Sequence, residues 1–168
     1  MKAIKYSPEM AKARAEGRKT QTRRPMKIQP EYSQAKMYQG KSTSHYFYPL
    51  NKGPFWYPLV EIAKACPYGK EGHHNIAINV KEDKSLMIVG CDEITRIRVE
   101  KLQNISEEDC YKEGFVRDFI ETQRMSRYDC QELMIGKFCD LWNSFYGGTE
   151  FSWDNNPWVW VIDFKKDA

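Results

Sequence analysis

The chain has 168 residues, 41% hydrophobic and 14% aromatic, with a mean hydropathy of -0.72 and a formal net charge of +3. That length makes one domain the default, and the aromatic content can fill a core, which excludes wholesale disorder. No apolar run approaches the roughly 20 residues of a membrane helix, and the N-terminus lacks the apolar stretch of a secretory signal, so no membrane association and a cytoplasmic location are expected.

The charge is unevenly placed. Residues 1–27 hold nine Lys/Arg against Glu9 and Glu16, which leaves 17 basic and 21 acidic residues of the chain's 26 and 23. A basic end of this kind suits a phosphate-bearing partner and equally a solvated face.

Ser7-Pro8 reads as a helix start, with Ser as N-cap and Pro in the first turn, and predicts a short helix over 8–16. Gly17 stops it in a left-handed conformation and leads into Arg18-Lys19-Thr20-Gln21-Thr22-Arg23-Arg24-Pro25. Pro25 biases Arg24 towards extended backbone. Residues 28–58 show no clean period; the polar first half reads as an insertion, and the aromatic second half is expected to fold back onto the body. Ile76, Ile78 and Val80 alternate as the inward face of a strand. Lys81 to Lys84 reads as a hairpin turn before Leu86-Met87-Ile88-Val89. Thr95, Ile97 and Val99 are expected on one face of the next strand, with Arg96 and Arg98 on the other.

Ser106 to Asp109 resembles a capping box opening a helix to Glu113, with Gly114 as its stop. Met134, Phe138, Leu141, Trp142 and Phe145 share one face of a helix over about 130–146. Trp158, Trp160, Ile162 and Phe164 share one face of a terminal strand. The order of elements predicts an α+β fold with a mostly antiparallel sheet.

Several chemistries lack their motif. There is no P-loop, no G-x-G-x-x-G and no G-x-S-x-G. The five cysteines (66, 91, 110, 130, 139) are odd in number and contain no C-x-x-C, so reduced thiols are expected rather than a disulfide framework or zinc ribbon. His73-His74 has no recognised ligand spacing, and no metal or cofactor is expected. The loop of Arg18, Lys19, Gln21, Thr22, Arg23 and Arg24 combines guanidinium forks with hydroxyl and amide donors, a set suited to phosphate and base edges. Trp153, ahead of an Asp-Asn-Asn-Pro turn, is a candidate pocket wall on which a base could stack.

Taken together, Gly17 to Pro25, Cys66-Pro67-Tyr68-Gly69, Ile94 to Val99, Leu102 to Asp109, Glu113-Gly114 and Asn156-Pro157-Trp158-Val159-Trp160-Val161 resemble the ASCH-domain proteins of the PUA-like superfamily, in their bacteriophage and prophage branch. The resemblance implies a single domain over 1–168: a small, mostly antiparallel β-barrel flanked by helices, with variable material at about 28–65. It also implies a cleft for RNA or a nucleoside. One bacterial branch of the family hydrolyses the amide of N4-acetylcytidine with a Lys and a Thr of the signature loop and a Glu of a later helix. Those positions match Lys19, Thr22 and Glu113 here; Arg18, Gln21, Arg23, Arg24 and Trp153, singled out above from their chemistry, are the expected binding residues. On this reading Lys19 is a base whose proton is disfavoured by neighbouring arginines. The competing account is a structural Lys19–Glu113 salt bridge at the barrel mouth. The chain departs from the family at 72–80, where an acidic and aromatic strand pattern is replaced by Gly72-His73-His74-Asn75-Ile76-Ala77-Ile78-Asn79-Val80. That departure leaves open a noncatalytic RNA or single-stranded DNA binder, or a phage accessory protein that binds a host protein through the aromatic 44–60 segment.

Overall fold

The computed structural model describes residues 2–38, 41–50, 53–116 and 125–167. In chain order the elements are β1 (Ile4–Tyr6), α1 (Pro8–Ala15), β2 (Gln21–Pro25), β3 (Glu31–Tyr38), β4 (Lys41–Leu50), β5 (Gly53–Pro58), α2 (Leu59–Ala63), β6 (His74–Val80), β7 (Leu86–Lys101), α3 (Glu107–Lys112), α4 (Arg127–Tyr146) and β8 (Trp158–Lys166). Single 3-10 turns follow β7 (Leu102–Asn104) and precede β8 (Trp153–Asn155).

The main sheet has the order β1-β6-β7-β8-β2. Only the β1–β6 pair is parallel; the rest are antiparallel, as the sequence predicts. The sheet curls into a half-barrel, giving an α+β fold. The barrel is not zipped shut: β1 and β2 are its two edges. Their gap is spanned by a side chain, since Arg24 Nη2 of β2 donates to the Lys5 carbonyl of β1 at 2.6 Å. Edge position is what lets β2 carry Pro25, which has no N–H for a ladder.

β8 is buried on both faces. Trp158, Trp160, Ile162 and Phe164 join Ile4, Tyr6, Met26 and Ile94 in one core, while Val159 and Val161 pack under Met134, Phe138 and Trp142 of α4 in a second. A strand covered on both sides reads as a continuous apolar run, and Trp-Val-Trp-Val-Ile is one.

Caps fix the helices. The Ser7 hydroxyl accepts from the Met10 N–H to open α1. Ser106 with Asp109, and Ser126 with Asp129, form reciprocal capping boxes at α3 and α4. The second box starts α4 at Arg127, three residues ahead of the expectation from its apolar face.

Three strand expectations are corrected. In β6 the inward residues are Asn75 and Ala77, while Ile76 is 45% exposed. Ala77 pairs with Gly90, over which the Arg14 guanidinium lies, so the inner face there accepts only a small side chain. In β7 the register shifts between Ile94 and Arg96, leaving Thr95 as an extra, exposed residue, so Ile94 and Val99 are the buried pair rather than Thr95 with Val99. Residues 31–58 form a second, three-stranded antiparallel sheet, β3-β4-β5. β4 and β5 escape sequence detection because prolines interrupt them, with Pro49 paired opposite Pro54. The aromatic part does fold back: Tyr46 meets Trp158 edge-on at 4.9 Å and Tyr48 meets Trp160 at 6.5 Å.

A fully buried ion pair locks α1 to the sheet. Arg14 Nε donates to both Asp92 oxygens at 2.7 and 2.9 Å, and its Nη1 and Nη2 donate to the Val89 and Cys91 carbonyls. Tyr6 Oη donates to Asp92 at 3.3 Å. Burial first, and then the Asp92 charge, hold the Tyr6 phenol well above its ordinary value.

Candidate functional site

The basic loop is held by backbone bonds rather than left free. Gly17 takes φ +75°, and the Arg18 and Lys19 amides both donate to the Ala13 carbonyl. The Thr20 N–H donates to the Lys112 carbonyl at the end of α3, and the Thr20 carbonyl accepts from Phe164. The α3 stop, Gly114, sits at φ +103°, and a Cβ there would lie 3.0 Å from Ala13 Cβ and 3.1 Å from Lys19 Cβ. Only glycine allows α3 to end against the loop at that distance. This close approach sets Lys19 beside Glu113, 94 residues later in the chain.

Lys19 and Glu113 are both buried. Lys19 Nζ donates to Glu113 Oε2 at 2.7 Å and to the Glu113 carbonyl at 2.8 Å. Burial pulls the Lys19 ammonium below its ordinary value; the Glu113 charge and hydrogen bond oppose that, and Arg24 and Arg23 add to it. Arg23 Nη1 reaches Glu113 Oε1 at 3.2 Å, and Arg23 Nη2 reaches Asp109 at 2.9 Å. Arg98 ties Asp109 to Asp163 at 3.0 and 2.8 Å. Burial raises the Asp109 carboxyl, but Arg23, the Ser106 N–H, Gln21 and Arg98 outweigh it and take it down to about 2. Gln21 donates to Asp163 and Asp109 and accepts from Arg23. The result is a continuous chain of alternating charge from Lys19 to Asp163.

One end of that chain opens into a cavity of about 860 Å³, within the roughly 300–1,000 Å³ range typical of small-molecule sites. The cavity lies at the open seam of the half-barrel, with Lys5 and Tyr6 on the β1 side and Arg23 and Arg24 on the β2 side. Lys19 and Glu113 form part of its wall. The aromatic side chains of α4 line it as well: Phe138, Trp142, Phe145 and Tyr146, with the Arg23 guanidinium 5.9 Å from the Phe138 ring. Phe145, at the end of the predicted apolar face of α4, is 58% exposed and lines the cavity.

The structure thus brings Lys19, Glu113, Arg23 and Arg24 to one cavity. It puts the other expected residues elsewhere. Thr22 is fully buried in β2, is not among the lining residues, and its Oγ1 has no hydrogen-bond partner among the described residues. Arg18 bonds to Glu16 and to the Gly114 carbonyl. Gln21 belongs to the carboxylate network behind the wall. Trp153 packs against Phe138 at 6.2 Å and does not line the cavity. Its turn is fixed by Gln103, which donates to its carbonyl. Sequence reasoning missed the α4 aromatics, whose helical spacing reads equally well as core. It also missed Tyr6, whose ring lies 5.9 Å from Lys19 Nζ and 6.0 Å from the Arg24 guanidinium. Among the described residues no group of three or more His, Cys, Asp and Glu could hold a metal ion, and no helix is long and apolar enough to cross a membrane.

No family model matches the chain, and no curated protein matches it in sequence. Among solved structures, protein EF3133 from Enterococcus faecalis V583, described under the family designation DUF984, aligns over 99% of this chain and 80% of its own, with a TM-score of 0.51 and 11% identity. An ASCH domain from Lactobacillus crispatus JV V101 aligns over 94% of this chain and 69% of its own, with a TM-score of 0.43 and 14% identity. At 11% identity the likeness to EF3133 is one of fold, and it agrees with the α+β half-barrel described above.

Proposed function

We propose that this chain recognises a nucleobase in the seam cavity and, in the ASCH-like manner, hydrolyses an acyl amide on it, as on N4-acetylcytidine. The observation that carries this reading is the buried Lys19–Glu113 pair set in the wall of a cavity that α4 lines with aromatic rings. A planar base fits between rings, where stacking is sequence-tolerant and each base contributes about 1–3 kcal/mol.

The pair supplies both halves of acid–base catalysis. Moving one proton over the 2.7 Å from Nζ to Oε2 gives a neutral amine beside a neutral carboxylic acid. The amine takes a proton from water as the water oxygen bonds to the acyl carbon. The carbon–nitrogen bond then breaks, and the carboxylic acid protonates the departing exocyclic amine. Arg23, which also lines the cavity beside Glu113, faces the developing oxyanion. Lowering the Lys19 ammonium by burial favours the amine form. Thr22 lies behind the wall, so this version needs no hydroxyl nucleophile.

Cytidine released from N4-acetylcytidine, separated by chromatography, tests the chemistry. Lys19→Met is expected to cut the rate by about 10²–10⁴-fold, and Thr22→Val by far less. No turnover by the native protein, or full turnover by Lys19→Met, removes the catalytic version. Binding of cytidine without turnover leaves a noncatalytic recognition module.

A further inference from the structure

The cations around the cavity fall into two groups. Lys19 and Arg23 are matched by carboxylates: Glu113 for the first, Glu113 and Asp109 for the second. Lys2, Lys5 and Arg24 also line the cavity. Among the described residues none of these three has a carboxylate partner, and Arg24 spends its hydrogen bonds on the Arg23 and Lys5 carbonyls, which neutralise nothing. Lys2 lies just before β1, Lys5 in β1 and Arg24 in β2, so all three belong to the lips of the seam, whereas the rings that line the cavity belong to α4. Lys5 alternates outward in β1, between the buried Ile4 and Tyr6, and is exposed. Ser7 and Pro8, which follow β1 at the start of α1, line the cavity as well.

We infer that the ligand is phosphorylated: the cavity holds a nucleoside phosphate, with the base against the α4 rings and the phosphate at Lys2, Lys5 and Arg24. This deepens the nucleobase reading and rests on it. A cavity lined both by aromatic rings and by unmatched positive charge calls for a ligand that has a planar apolar part and an anionic part. A bare nucleoside would leave the seam cations uncompensated. The phosphate belongs either to a free nucleotide or to the backbone of a single strand, and both present the same oxygens to the site.

The test compares cytidine, cytidine 5′-monophosphate and a short single-stranded oligocytidylate by calorimetry at low and physiological salt, on the native protein and on a Lys2→Gln/Lys5→Gln variant. Both lysines are exposed, so the substitutions spare the core. The monophosphate is expected to bind at least about tenfold tighter than cytidine at low salt, with the advantage shrinking as salt rises. In the variant the ratio of the two affinities is expected to fall towards one. An oligonucleotide that binds tighter still assigns the phosphate to a strand; equal binding assigns it to a free nucleotide. Cytidine and its monophosphate binding equally to the native protein overturns this inference and leaves the nucleobase reading standing. An undiminished ratio in the variant overturns the assignment to these lysines. No binding of any of the three overturns both readings.

Discussion

Glu113→Gln removes the carboxylate that faces Lys19 while keeping its shape, its backbone carbonyl contact and an oxygen for Arg23. Losing one member of a buried ion pair costs about 3–5 kcal/mol when the other stays charged. Lys19 has an escape, because it can fold as the neutral amine. Neutral groups in place of a buried pair are close to energetically even, so the cost is capped by deprotonating a lysine from its ordinary value of 10.5. At about 1.36 kcal/mol per pH unit the cap is about 5 kcal/mol at pH 7 and about 2 kcal/mol at pH 9. The sign follows from proton binding. In the variant the unfolded chain holds a proton on Lys19 that the folded chain lacks, so its stability relative to the native protein rises with pH until the unfolded lysine also titrates. Urea unfolding of both proteins at pH 7, 8 and 9, compared at equal m-value, measures the deficit. A deficit that stays constant between pH 7 and pH 9 would refute the claim that the amine sheds its charge when Glu113 no longer matches it.

The Arg14–Asp92 pair supplies the contrast. Asp92→Asn is expected to cost about 3–5 kcal/mol with no relief at pH 9, because a guanidinium does not deprotonate; a pH-dependent deficit there rejects the assignment. Arg14→Lys is expected to lose about 2 kcal/mol or more, since three donors on one nitrogen cannot replace four bonds spread over the three nitrogens of the guanidinium; thermal unfolding reads it. Gly114→Ala, at φ +103° and 3.0 Å from Ala13 Cβ, is expected to cost more than about 2 kcal/mol. Gly17→Ala, with nothing within 4 Å, is expected to cost about 1 kcal/mol from backbone strain alone; similar losses at both sites reject the close packing of α3 on the loop. Asp109, held at about 2, adds stability that is complete above its ordinary 3.8 and disappears as pH falls through 2. Acid unfolding of Asp109→Asn is therefore expected to be shallower than that of the native protein between pH 4 and pH 2.

Local signals carried much of the fold. Ser7-Pro8, Ser106 with Asp109, and Gly114 mark helix ends through chemistry that acts within four residues, and the structure places caps at each. The Trp-x-Trp alternation of β8 is local in the same sense. Long-range partners are not legible this way. Arg14 sits on a helix too basic to show an apolar face, and nothing near it signals that Asp92, 78 residues on, will bury it. The phase of β6 went wrong for a related reason: Ile76 is the more hydrophobic residue, but the space under the sheet is already taken by that guanidinium. Lys19 with Glu113 emerged from sequence only through the family resemblance, and the structure puts them in contact. The turn after Trp153 suggested a pocket wall there, but its ring lies in the second core beside Phe138. The cavity wall built by α4 was visible only as helical periodicity, which does not distinguish rings that fill a core from rings that border a void.

The unzipped side of the half-barrel has a mechanical consequence. A closed barrel can admit a bulky guest only by breaking main-chain ladders. Here the two lips, β1 and β2, are stitched by the Arg24 guanidinium on the Lys5 carbonyl. Exchanging that stitch for water lets the lips part while β6, β7 and β8 stay paired, so the hollow can stretch beyond its resting size at small cost. Amide protons of β1 and β2 should accordingly exchange with solvent sooner than those midway along β7.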